Sequence, residues 1–194
     1  MKITQRVRPI AIGLSIALVT VALAPLTMAA PMGMGKTVMV GGAAMYPSRN
    51  IIENAMNSKD HTTLVAAVKA AGLVDTLSGK GPFTVFAPTN EAFAALPAGT
   101  VENLLKPENK ATLTKILTYH VVPGHLTERD LAKVVAAGGG TASLKTVEGD
   151  SITGSQDGDR WQVTDDKGKV ADGSSGDVMH SNGVIFVIDK VLMP

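Results

Sequence analysis

Four histidines, a run of methionines near the N-terminus and a series of aspartates are the residues whose types could do chemistry, and their spacing decides which kind. Two imidazoles share a metal on one helix face when they stand at i and i+3 or i+4, and His61, His120, His125 and His180 contain no such pair. Asp157, Asp159, Asp165, Asp166, Asp172 and Asp177 do not follow the calcium-loop pattern, and turns account for them because aspartate bonds its own backbone there. Past residue 29 there is no Gly-x-Ser-x-Gly elbow to expose a serine nucleophile, and no dinucleotide or phosphate loop. Met32, Met34, Met39 and Met45 lie in a Gly/Ala-rich stretch, where thioethers are suited to Cu(I) in an oxidising compartment; packing or low complexity is the alternative. No other cofactor is implied.

His120 follows Leu113 by seven residues, two helical turns, and so shares the apolar face of Leu113, Ile116 and Leu117. A buried imidazole must be hydrogen-bonded, so a structural role is expected, with a partner near Thr89 or Asn90.

The elements that must position these residues fall into two halves. Leu64, Val65, Val68 and Ala71 form one helix face that begins near Thr62 or Thr63 and ends at Gly72, with a further helical turn over Leu73, Val74 and Leu77. Thr100 is placed to cap a short helix through Leu105, and a longer helix opens near Pro107. Thr127 and Asp130 form a capping box ahead of Leu131, Val134 and Val135, with glycines 138–140 as the stop. From residue 142 the period changes to short β runs, 142–147, 151–155, 160–164 and 169–171, punctuated by Gly149, Asp157-Gly158 and Lys167-Gly168. Trp161 is expected to close the core with its indole N–H at the edge. Residues 83–87 and 184–191 read as strands from opposite ends of this span. Helices first and hairpins second make the class α+β.

The N-terminus carries Lys2, Arg6 and Arg8 before an uncharged apolar run, residues 10–23, and Thr27-Met28-Ala29 supplies small residues for cleavage. The run is shorter than the ~18 or more apolar residues of a spanning helix. Residues 1–29 are therefore expected to be a signal peptide, 30–47 an extended or flexible Gly/Ala/Met lead-in, and 48–194 one domain. Without the leader, the formal charge of +1 becomes −2, which offers no footprint for nucleic acid. The chain has no cysteine, so an exported form relies on its core and not on disulfides. A secreted or periplasmic protein with no membrane span after cleavage is expected.

The segment Phe-Thr-Val-Phe-Ala-Pro-Thr-Asn-Glu-Ala-Phe at 83–93, Tyr119-His120, and Ser-Asn-Gly-Val-Ile-Phe-Val-Ile-Asp-Lys-Val-Leu-Met-Pro at 181–194 occur in the order of the fasciclin (FAS1) domain, which residues 48–194 resemble. The resemblance implies a β-wedge of two small sheets packed against a cluster of helices. It also implies a non-catalytic adhesion or surface-interaction role, with an extracellular or cell-surface protein or glycan as partner. Thr89, Asn90, Tyr119, His120, Asn182 and Gly183 fall on its structural motif positions. Asp177 and Val178 fall on the Asp-Ile pair implicated in receptor binding in animal members, presented by the 173–176 loop and outside the core. Copper handling through the methionines and an unrecognised enzyme are the other functional readings.

Overall fold

The computed structural model describes residues 37–158 and 160–194. The expected signal peptide, Met32 and Met34 lie outside the described residues. The described part begins with a hairpin, β1 (Val38–Val40) and β2 (Ala43–Met45), turned by Gly41 and Gly42, both at positive φ. Six short helices interrupted by one strand follow: α1 (Ile51–Ala55), α2 (Thr62–Ala71), α3 (Val74–Ser78), β3 (Phe83–Pro88), α4 (Asn90–Ala94), α5 (Thr100–Leu104) and α6 (Lys110–Tyr119). Then come β4 (Val121–Pro123), α7 (Glu128–Ala137), β5 (Thr141–Lys145), β6 (Ser151–Asp157), β7 (Arg160–Thr164), β8 (Val170–His180) and β9 (Gly183–Ile188).

Most helix boundaries follow from local chemistry. Gly72 ends α2 in the left-handed conformation, and Thr127 and Asp130 complete their reciprocal capping box at α7. The start of α5 differs from expectation: Gly99, at φ 81°, occupies the cap position, and Thr100 is the first helical residue with no capping bond.

Seven strands form one sheet in the order β4-β3-β9-β8-β7-β6-β5. β3 and β9, distant in sequence, lie parallel and in register from Phe83 opposite Gly183 to Pro88 opposite Ile188. β8 joins the two halves of this sheet. Its first residues pair with β7 and its later ones with β9, with register breaks between Gly173 and Val178 that let it bend. The Val147 N–H donates to the Val121 carbonyl at 2.7 Å, so the chain after β5 reaches β4 and the sheet nearly closes on itself.

Two hydrophobic clusters result. One joins the helices and the N-terminal hairpin to one side of β3 and β9 through Leu64, Val68, Leu113, Ile116, Val85 and Ile185. The other fills the sheet around Phe86, Phe186, Trp161, Ile152 and Val163 and is covered by Leu131 and Val135 of α7. Trp161 stands edge-on to Phe186, ring centroids 4.8 Å apart at 81°. Each large side chain buried in these clusters contributes roughly 1.5–3 kcal/mol.

Three expectations need correction. The lead-in is not flexible throughout, since residues 38–45 form the hairpin and Val40 and Met45 enter the helical core. The final strand ends at Ile188, after which Val191 and Leu192 are fully buried without strand pairing. Residues 173–176 are not a free loop but part of β8.

Candidate interaction surface

The marker residues all bond inward. Thr89 caps α4 by accepting from the Ala92 N–H at 3.3 Å. Asn90 accepts at Oδ1 from the Thr63 N–H (3.0 Å) and the Thr62 hydroxyl (3.1 Å) and donates to the Lys59 carbonyl (2.7 Å), which joins α4 to the start of α2. Asn182 accepts at Oδ1 from the Ile51 N–H (3.0 Å) and donates to the Leu77 (2.8 Å) and Gly79 (3.0 Å) carbonyls, so one amide holds the start of α1 and the end of α3 to the β8–β9 turn. Gly183 allows β9 to touch β3, since a Cβ there would lie 1.9 Å from the Phe83 carbonyl oxygen. The Tyr119 hydroxyl accepts from the Asp166 N–H (3.1 Å) and donates to the Ser151 carbonyl (3.3 Å), and burial pushes its pKa up.

His120 is buried as expected, but its partners are different. Nε2 accepts from the Leu192 N–H at 3.0 Å, which leaves the proton on Nδ1 to donate to the Ile116 carbonyl at 2.8 Å. Burial lowers its pKa to about 4. The neutral ring thereby pins the C-terminal segment instead of Thr89 or Asn90. Asp165 assists by accepting from the Lys167 (3.0 Å), Lys169 (2.8 Å) and Met193 (3.1 Å) N–H groups. Nothing in the sequence marked Asp165 apart from the other turn aspartates.

The two candidate contact residues separate. Val178 is 1 % exposed and lies in the helical core cluster, so it cannot meet a partner. Asp177 is half-buried at φ 54°, a conformation that strains a residue with a side chain, and its carboxylate accepts the Glu128 N–H at the start of α7. This bond offsets the strain and ties the β8 bulge to the helix. Asp177 therefore shapes the surface from behind.

The open surface lies alongside. A cleft of about 500 Å³ follows the bulge, lined by Glu128, Arg160, Trp161, Asp172, Ser174 and Asp189 among others. Gly173 makes this wall possible because it lies against the indole, where a Cβ would come within 1.9 Å of Trp161. Two of the carboxylates are already oriented: Asp172 accepts from Gln162 Nε2 at 2.7 Å, and Asp189 accepts from the Asp172 N–H at 2.8 Å. Hydroxyls, carboxylates and a guanidinium held on neighbouring strands and the start of α7 suit hydrogen-bonded recognition of a polar partner. The Gly-Ser-Ser-Gly run at 173–176 between two strand signals was the available clue to it.

The two described methionines of the lead-in do not converge. Met39 and Met45 occupy alternate faces of the hairpin, Met39 exposed and Met45 buried in the core, so they cannot ligate one ion. Among the described residues no three His, Cys, Asp or Glu side chains are grouped to hold a metal, and no helix is long and apolar enough to cross a membrane.

Comparison with known proteins agrees with the marker segments. The Fasciclin domain family model matches residues 59–194. The chain is 50% identical over 161 residues to Protein sll1483 of Synechocystis, covering 82% of this chain and 81% of that protein. It is 40% identical over 145 residues to the immunogenic protein MPB70 of Mycobacterium bovis, covering 72% of this chain and 66% of that one. Among solved structures, a FAS1 domain pair from the insect cell adhesion molecule fasciclin I superposes with a TM-score of 0.68 at 20% identity, covering 81% of this chain and 58% of that one, a likeness of fold.

Proposed function

Given that this chain belongs to the fasciclin domain family, we propose that it is an exported, non-catalytic adhesion or interaction module that presents the β8 cleft to an extracellular or cell-surface protein or glycan. The observation that carries this reading is the cleft itself: polar groups gathered around β8, whose bend is locked by Gly173 against Trp161 and by Asp177 on α7. A rigid scaffold presenting such a surface loses little entropy on binding. The fold likeness to a cell adhesion molecule and the basic, apolar and small-residue order of the leader support the same reading. Cleavage after Ala29 leaves a nearly neutral chain, for which nucleic acid is not a partner.

The test is attachment of the mature protein to cell envelopes. Arg160→Glu combined with Ser174→Trp changes the charge of the cleft and fills it without touching the core. Attachment should fall about tenfold or more, the equivalent of one lost charged contact, while the melting curve stays in place. Unchanged attachment would move the partner site elsewhere.

A further inference from the structure

The β8 cleft has a sign as well as a shape. Glu128, Asp172 and Asp189 line it against a single guanidinium, that of Arg160. Among the described residues no ion pair uses Glu128, Asp172 or Arg160. Asp189 lies 4.0 Å from Lys190 Nζ, which is turned to donate to the Val170 carbonyl at 2.8 Å. Asp172 and Asp189 each accept one bond from the fold, which sets their direction and leaves most of their acceptor capacity free. Three carboxylates to one cation make the cleft locally negative, so it repels an acidic partner and attracts a basic one. The carboxylates are not grouped to hold a metal ion.

Trp161 adds an independent sign of a ligand. The residue is 5 % exposed, and its indole N–H has no acceptor among the described residues. The buried side-chain nitrogens left without a partner are those of His61 and His180, so Trp161 Nε1 is unpaired but not sealed from solvent. Gly176, on the cleft wall, shows where it opens: a Cβ there would stand 3.2 Å from Nε1 and 3.4 Å from Glu128 Oε2. Because residue 176 has no side chain, an N–H donor and a carboxylate acceptor converge on one vacant point of the cleft. An indole N–H on a buried ring is ordinarily bonded, so this one marks the place of an acceptor from outside. The ring itself is fixed by Gly173 and by its edge-on contact with Phe186, so the donor is in position before anything binds.

Taking this cleft as the recognition surface, the reading on which the inference rests, we propose that its occupant is a basic, extended segment of a partner protein. An arginine or lysine side chain of that segment lies against Glu128, Asp172 and Asp189, and its backbone carbonyls accept from the Trp161 N–H and the Arg160 guanidinium. The indole and the guanidinium can only donate, so a bare cation or a polyamine leaves both unsatisfied. A peptide supplies a carbonyl at every residue beside its charge. A neutral glycan meets the donors with hydroxyl oxygens but gains nothing from the charge of the cleft, and the one aromatic ring in its lining is too buried to stack on a sugar.

The chain has one tryptophan, so the proton NMR spectrum of the mature protein shows a single indole N–H signal, that of Trp161. It would be followed during titration with acetyl-Gly-Arg-Gly-Lys-Gly-amide, with the same peptide carrying glutamate at both charged positions, and with cellotetraose as a neutral sugar. The basic peptide should shift the signal saturably, and the other two should not. Raising the salt from about 0.1 M to about 1 M, which shortens electrostatic reach from about 10 Å to about 3 Å, should weaken binding about tenfold or more. Glu128→Gln/Asp172→Asn/Asp189→Asn removes the charge and keeps the oxygens that bond to the fold. It should melt as the parent does and bind the basic peptide about tenfold or more weakly. The proposal is overturned by no saturable shift with the basic peptide, by an equal response to the glutamate peptide, by a response to the sugar in its place, or by parental affinity in the triple variant or at high salt. The titration decides the chemistry of the occupant, and the envelope assay with Arg160→Glu/Ser174→Trp decides whether the cleft is the attachment site, so the two readings fail separately.

Discussion

The marker segments and the β8 bulge are both rich in polar side chains, yet the two regions direct their hydrogen bonds in opposite senses. Asn90, Asn182 and Tyr119 turn inward, each bonded on both sides to backbone from other elements, and His120 joins its own helix to the C-terminal segment. Around the bulge, Asp177, Asp172 and Asp189 each accept one bond from the fold, while Arg160 and Ser174 are exposed to solvent. A recognisable segment therefore need not be a binding segment. The markers are joints where helices and strands meet, and the surface left for recognition lies between them, where local sequence is under looser geometric demand.

The sharpest way to break this contrast is at the joints. Gly183→Ala forces a Cβ to within 1.9 Å of the Phe83 carbonyl oxygen, between two paired strands that cannot separate cheaply. A loss of about 4 kcal/mol or more is expected in denaturant unfolding. A variant within 1 kcal/mol of the parent, on the order of ordinary surface substitutions, would show that the β3–β9 contact yields.

Acid should act next, through buried histidines that are neutral in the fold. Above pH 6.5 both folded and unfolded chains hold His120 and His180 uncharged, so neither affects stability there. Between 6.5 and about 4 the unfolded chain takes up protons that the folded one refuses, so stability falls as pH falls. The loss reaches roughly 3 kcal/mol per histidine by the lower end, and His61, also lowered by burial, adds in the same direction. Unfolding midpoints at pH 7 and 5 in chloride would show it, and His180→Leu should flatten the slope. An equal slope in that variant would mean that His180 titrates as it does in the unfolded chain.

The bulge offers the smaller effects. Val178→Ala removes core packing and should cost about 2 kcal/mol. Asp177→Gly exchanges a lost helix-end bond for relief of the φ 54° backbone, so its midpoint should stay within about 0.5 kcal/mol of the parent. Similar losses for both would erase the distinction between a core residue and a surface-shaping one.

The sequence made the joints more legible than the surface. Capping boxes, helix faces and glycine stops act over three or four residues, and Thr127, Asp130, Gly72 and the hairpin glycines placed their elements well. The Gly41-Gly42 turn between short apolar runs was as clear a hairpin signal, hidden by the bias of its surroundings toward Gly, Ala and Met. The rest depended on contacts across the chain. His120 finds its partner 72 residues away at Leu192, and Asn182 finds one 131 residues away at Ile51. Val178 follows a polar run, Gly-Ser-Ser-Gly-Asp, and nothing local shows that a bulge rotates it into the core. The cleft likewise exists only once Arg160, Asp172 and Asp189 are brought together from two strands and the bend after β9.

The most direct measurement is a paired one on the mature protein: envelope attachment and thermal unfolding, compared between the cleft variant Arg160→Glu/Ser174→Trp and the joint variant Asn182→Ala. With the joint variant held below its lowered midpoint, the expected result is a double dissociation. The cleft variant should melt as the parent does and lose attachment about tenfold or more; Asn182→Ala should lose about 3 kcal/mol of stability and still attach. Attachment lost in folded Asn182→Ala and retained in the cleft variant would contradict the assignment of scaffold to the markers and recognition to the bulge.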